Sequence, residues 1–136
     1  GLIEGAAEGV GLGIDFLKHL QRTRLLMHLV DIAPYDPEQA PAKAVRKLEA
    51  EMQRFDETLY TKERWLLLNK ADMLPEAELE ALKNSIVEEL EWEAPVYLIS
   101  AISGKGCEAV MHAVSQRLAE MALEEEEANE QDPATA

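Results

Sequence analysis

Positive charge is scarce in this sequence. Lys and Arg number 13 against 27 Asp and Glu, a formal net charge of −14. That balance argues against a broad electrostatic attraction to nucleic acid, DNA included, or to an anionic membrane. Cys107 is the sole cysteine, so no intrachain disulfide can form and a reducing compartment is the better expectation. No apolar run approaches the roughly 18 residues of a membrane span, and no basic-then-apolar leader opens the chain. These absences point to a soluble, cytoplasmic protein. The three histidines, His19, His28 and His112, are too scattered in sequence to suggest a metal site. A phosphate-binding loop of the form GxxxxGK followed by Ser or Thr is also missing.

What the chain does contain is an alternation of apolar runs and helical patterns. Residues 1–13, "GLIEGAAEGVGLG", hold five of the seven glycines and read as a loop. Ile14, Leu17 and Leu20 then fall at helical spacing. "LLMHLVDI", residues 25–32, stops short of Pro34 and Pro37 and reads as a strand buried on both faces. Val45, Leu48, Met52, Phe55 and Leu59 recur at steps of 3, 4, 3 and 4, which predicts one amphipathic helix over residues 40–59.

"RWLLLN", residues 64–69, is a second apolar strand, and Pro75 opens a helix marked by Leu79, Leu82, Ile86 and Leu90. Pro95 introduces a third strand, "VYLIS". Val110, Val114, Leu118 and Met121 mark the last helix. Seven acidic residues between Glu120 and Asp132, with no Lys or Arg after Arg117, read as a disordered acidic tail over 124–136.

Strands that alternate with helices and are nearly all apolar predict an α/β fold: three parallel strands with helices on both faces. Three parallel strands rarely stand alone with a bare edge, so residues 1–123 read as part of a larger α/β domain.

Ligands of open parallel sheets bind beyond the carboxyl ends of the strands. Three groups lie at those ends: Asp31, the quartet Asn69-Lys70-Ala71-Asp72, and Ser100-Ala101-Ile102-Ser103. The second and third follow successive strands and can converge on one ligand. Guanine shows two donors, N1–H and the N2 amine, on one edge, and the Asp72 carboxylate can accept both. Adenine offers an acceptor at N1 and no amine at C2, so the same carboxylate would face a lone pair. A buried group left unpaired costs roughly 1–3 kcal/mol, which makes such discrimination strong. The Lys70 stem can lie on a base face, Asn69 can tie the strand end to a neighbouring loop, and a free Ala101 N–H can donate to guanine O6 with Ser100 bracing the loop.

At these residues the chain resembles the guanine-recognition motifs of translation-factor-class GTPases, Asn-Lys-x-Asp and Ser-Ala-x. The run "GLIEGAAEGVGLGIDFLKHLQRTRLLMHLVDI" looks like switch II, its helix and the next strand in the Obg family of ribosome-associated GTPases, and the likeness extends to about Met121.

The resemblance implies a partial P-loop GTPase domain from switch II onward. Guanine would be bound by Asn69, Lys70, Asp72, Ser100, Ala101 and Ile102, and Gly1 would face the γ-phosphate. It also implies GTP, GDP and guanosine tetraphosphate as ligands and Mg²⁺ as cofactor, with the metal ligands upstream of Gly1 and none within the chain. Slow GTP hydrolysis in large ribosomal subunit assembly and growth or stress control would follow. Leu2 stands where many GTPases place a water-orienting glutamine, and no residue of the chain is assigned to catalysis. The rival expectations are a non-catalytic interaction module that keeps the fold, or an ATP- or flavin-binding α/β protein.

Overall fold

The computed structural model describes residues 13–34 and 40–131. Gly1, Leu2 and most of the glycine-rich segment lie outside the described residues, as do positions 132–136 of the acidic tail. In chain order the elements are α1 (Gly13–Leu20), β1 (Leu26–Asp31), α2 (Pro41–Phe55), α3 (Glu57–Tyr60), β2 (Arg64–Asn69), a 3₁₀ turn (Ala71–Met73), α4 (Glu76–Leu90), β3 (Val96–Leu98) and α5 (Cys107–Gln131). The strands form one parallel sheet in the order β1-β2-β3. Asp31 stands in register with Asn69, and Leu68 with Leu98. The expected α/β architecture with a three-stranded parallel sheet and interleaved helices is therefore present.

β2 is the centre of the core because both of its faces are covered. Leu66 and Leu68 pack with Val30, Val45, Leu79 and Ile86, which places α2 and α4 on one side. Trp65 and Leu67 turn to the other side and meet Ile99, Val110 and Val114, which places α5 there. Leu66 and Leu68 are completely buried, so truncation of either to Ala should cost about 2–5 kcal/mol. A third cluster joins Leu17 of α1 to Leu26, Met52 and Leu59 and closes the amino end of the sheet.

Three expectations differ from the structure. The first is β1, read as buried on both faces. It buries Leu26, His28 and Val30 but leaves Met27 48% and Leu29 58% exposed, and the apolar cluster under α5 takes in residues of β2 and β3 but none of β1. The other edge of β1 has no strand partner among the described residues.

Second, the single helix over 40–59 is broken. Asp56 takes an extended backbone, and its side chain accepts the Thr58 N–H to cap α3. The periodicity runs through the break because Leu59 still lands on the same buried cluster as Met52.

Third, α5 continues to Gln131, through most of the 124–136 stretch whose composition predicts a disordered tail. Arg117 supplies the local reason: it pairs with Glu120 and Glu124 one and two turns on, and with Glu63 before β2. Arg24 holds Glu125 at 2.8 Å.

Candidate functional site

The carboxyl ends of the three strands are laced together by two adjacent residues of the β2 exit. Asn69 ends β2 and Lys70 turns into the left-handed region, and the two side chains reach opposite neighbours. The Asn69 Oδ1 accepts the Ala101 N–H beyond β3 at 2.9 Å. A backbone N–H can only donate, which fixes the orientation of the amide. Lys70 reaches the other way, and its Nζ lies 2.7 Å from Oδ2 of Asp31 at the end of β1. The main chain repeats the pattern: Ile32 N–H donates to the Asn69 carbonyl at 3.2 Å, and Ala71 N–H to the Ile99 carbonyl at 2.9 Å.

Lys70 occupies the left-handed region, with φ 73° and ψ 32°. A side chain there costs about 1–2 kcal/mol, and the surrounding bonds hold it in place. Met73 N–H closes the 3₁₀ turn onto the Lys70 carbonyl at 2.9 Å. The turn buries Ala71 against Leu68 and Leu79 and presents Asp72 to solvent. Among the described residues the Asp72 carboxylate has no hydrogen-bond or ion-pair partner.

The Ser100–Ser103 loop is built on backbone bonds. Ser100 is completely buried; its Oγ accepts the Ser103 N–H at 3.2 Å and its carbonyl accepts the Gly104 N–H at 2.8 Å. Its own N–H donates to the Lys105 carbonyl at 2.9 Å. That last bond takes Ser100 out of the ladder and ends β3 at Leu98, two residues before the end of the expected strand. Gly104 and Gly106 have φ of 82° and 80°. A Cβ on Gly106 would lie 2.5 Å from the Leu98 carbonyl oxygen, so this glycine is required by close approach as well as by φ. Ala101 is exposed, and Ile102 is 91% exposed.

The six residues expected at a base pocket thus sit on two adjacent loops, joined through Asn69 and through Ala71. Two details differ from expectation. The Ala101 N–H, expected free, is donated to Asn69. The Lys70 ammonium, expected to be hydrated, is paired with a carboxylate. The sequence places Asp31 only at a strand end; its link to the quartet comes from its register opposite Asn69 in the folded sheet. Gly104 and Gly106 were missed, though the Ser-Gly-Lys-Gly run after the strand is a turn signal.

Burial raises the pKa of Asp31, but the Lys70 bond and charge and the Ala33 N–H, 2.8 Å from Oδ1, outweigh it and hold the carboxyl below its usual range. Asp31 is thereby committed to Lys70 and Ala33. No group of three His, Cys, Asp or Glu among the described residues could hold a metal ion. The described residues do not fit a Mg²⁺ site.

A shallow groove of about 370 Å³ lies at the opposite end of the sheet, lined by Tyr60, Arg64 and Trp92 among others. Its centre is the Arg64 guanidinium, 5.4 Å from the Tyr60 ring and 5.3 Å from Trp92, with Nη2 2.8 Å from Glu49. The Nε and Nη1 of Arg64 and the Nδ1 of His28 are buried with no hydrogen-bond partner among the described residues. No helix among the described residues is long and apolar enough to cross a membrane. No protein-family model matches the chain.

Proposed function

We propose that the chain is the guanine-recognition part of an Obg-like GTPase domain. The observation that carries this reading is the bond from Ala101 N–H to Asn69 Oδ1. It holds an Asn-Lys-x-Asp turn edge to edge with a Ser-Ala-x loop, at the strand ends where α/β sheets bind ligands. Asp72 is exposed on the turn and would accept N1–H and the N2 amine of guanine. Lys70 would lie on the base face, with Ser100 supporting Ala101 and Ile102 from below. Guanine O6 would compete with Asn69 Oδ1 for the Ala101 N–H, so binding would loosen that tie.

On this reading the open side of β1 receives the phosphate-binding half of the domain. The α5 line Met111–Leu118–Glu125 repeats every seven residues, so it lies on one helix face. Glu125 pairs with Arg24, just before β1, which turns that face toward β1. Met111 and Leu118 are 59% and 39% exposed, and so are Met27 (48%) and Leu29 (58%) of β1, whose outer edge has no strand partner among the described residues. The phosphate loop, Mg²⁺ and γ-phosphate contacts, Gly1 among them, would belong to that half. The whole protein would hydrolyse GTP slowly in the cytoplasm, respond to GDP and guanosine tetraphosphate, and act on the large ribosomal subunit.

The same exposed apolar side chains favour a second reading, a non-catalytic module that binds a partner through them. Titration with guanosine and adenosine monophosphates separates the two. Guanine recognition requires shifts at Asn69–Asp72 and Ser100–Ile102 with the guanosine nucleotide alone. Identical responses to both nucleotides support the interaction module.

A further inference from the structure

The Lys70 side chain is held at both ends. Its backbone is fixed in the left-handed region by the bonds around the turn. Its ammonium lies 2.7 Å from Asp31, which is in register with Asn69 on the neighbouring strand. Neighbouring strands lie about 4.8 Å apart, so the four-carbon stem bridges the ends of β1 and β2 as a shelf. Asp31 is itself fixed, because its second oxygen accepts the Ala33 N–H at 2.8 Å. Both side chains are close to two-fifths exposed, 38% and 39%, so a ligand can reach the stem without unfolding anything.

We infer that Asp31 is a positioning residue for base binding: it anchors the Lys70 ammonium so that the stem is laid out before the base arrives. This rests on the guanine-recognition reading and adds to it a residue on β1, outside both loops. An untethered lysine would sample many rotamers and would have to be ordered on binding. Asp31 has a second, purely structural task through Ala33, and the two tasks can be separated. Asp31→Asn keeps an acceptor for Ala33 and removes the charge that holds Lys70. Lys70→Met keeps an apolar stem and removes the ammonium.

The test is a double-mutant cycle read as the dissociation constant for guanosine monophosphate, from amide chemical-shift titration of the chain. Asp31→Asn should weaken binding roughly threefold to fivefold, the upper part of what an exposed ion pair contributes. In the Lys70→Met background the same substitution should change nothing measurable. Equal losses in both backgrounds, or no loss in either, would overturn the positioning role while leaving guanine recognition intact. A wild-type chain with no preference for guanosine over adenosine monophosphate would instead sink the reading beneath it, and the positioning role with it.

Discussion

The side-chain oxygen of Asn69 and the backbone N–H of Ala101 meet at 2.9 Å across 32 residues of sequence. One hydrogen bond thus joins the exit of the central strand to the loop after its neighbour. Ala101 is exposed, so the bond orders a loop that water would otherwise loosen. Such bonds contribute about 0.5–1.5 kcal/mol. Asn69→Ala should raise the hydrogen-exchange rate of the Ala101 amide, with little change at Leu66 or Leu68. Asn69→Asp, which keeps the acceptor, should preserve most of the protection. Unchanged exchange in Asn69→Ala would mean that the Ser100 bonds alone hold the loop.

The loop glycines separate backbone strain from close approach. Gly104 and Gly106 share nearly the same φ, but a Cβ on Gly104 meets nothing within 4 Å while one on Gly106 meets the Leu98 carbonyl. Gly104→Ala should cost about 1–2 kcal/mol in denaturant unfolding, the left-handed penalty alone. Gly106→Ala should cost clearly more, because β3 must shift to admit the methyl. Equal midpoints for the two variants would contradict this.

Much of the fold was legible in the residues because burial and pattern agree. "RWLLLN" coincides with β2, and Pro75 stands immediately before α4. Where they disagreed, a specific contact decided the outcome. The Asp56 cap breaks the helix without disturbing its apolar stripe, so periodicity is blind to it. The acidic stretch carries the composition of a solvated tail, but Arg117 faces three carboxylates at once. The candidate site was legible as two loops. That Asn69 would engage the Ala101 N–H, and Lys70 the carboxylate of Asp31, was not, because both partners are 32 or more residues away.

Arg117 should decide how far α5 extends. Its guanidinium ties the helix to Glu63 at 2.9–3.1 Å through three hydrogen bonds. Arg117→Gln should speed amide exchange over residues 120–131 and lower helix content by circular dichroism, while the exchange of β2 stays unchanged. A mid-range protease should cut the released segment first. Persistence of the full helix in the variant would assign its order to intrinsic propensity.

Stability should fall in mild acid because of His28. Burial, and then the nearby Arg64 charge, lower its pKa from 6.5 to about 4, and Nδ1 has no hydrogen-bond partner among the described residues. The unfolded chain takes up a proton below pH 6.5 that the folded chain refuses until about pH 4. The contribution is therefore complete above pH 6.5 and is lost as pH falls toward 4, by about 3 kcal/mol. Denaturant unfolding at several pH values should show this slope, and His28→Leu should flatten it in that window. An equal slope in the variant would place the titration elsewhere.

Guanine selection by Asp72 is tested most directly by amide chemical-shift titration of the chain with guanosine and adenosine monophosphates, in wild type and in Asp72→Ala. Base recognition of the proposed kind gives shifts at Asn69–Asp72 and Ser100–Ile102 with the guanosine nucleotide, at least tenfold weaker binding of the adenosine nucleotide, as two unpaired edge contacts imply, and loss of that preference in Asp72→Ala. Equal affinity for the two nucleotides in the wild type, or a preference that survives removal of the carboxylate, would contradict it.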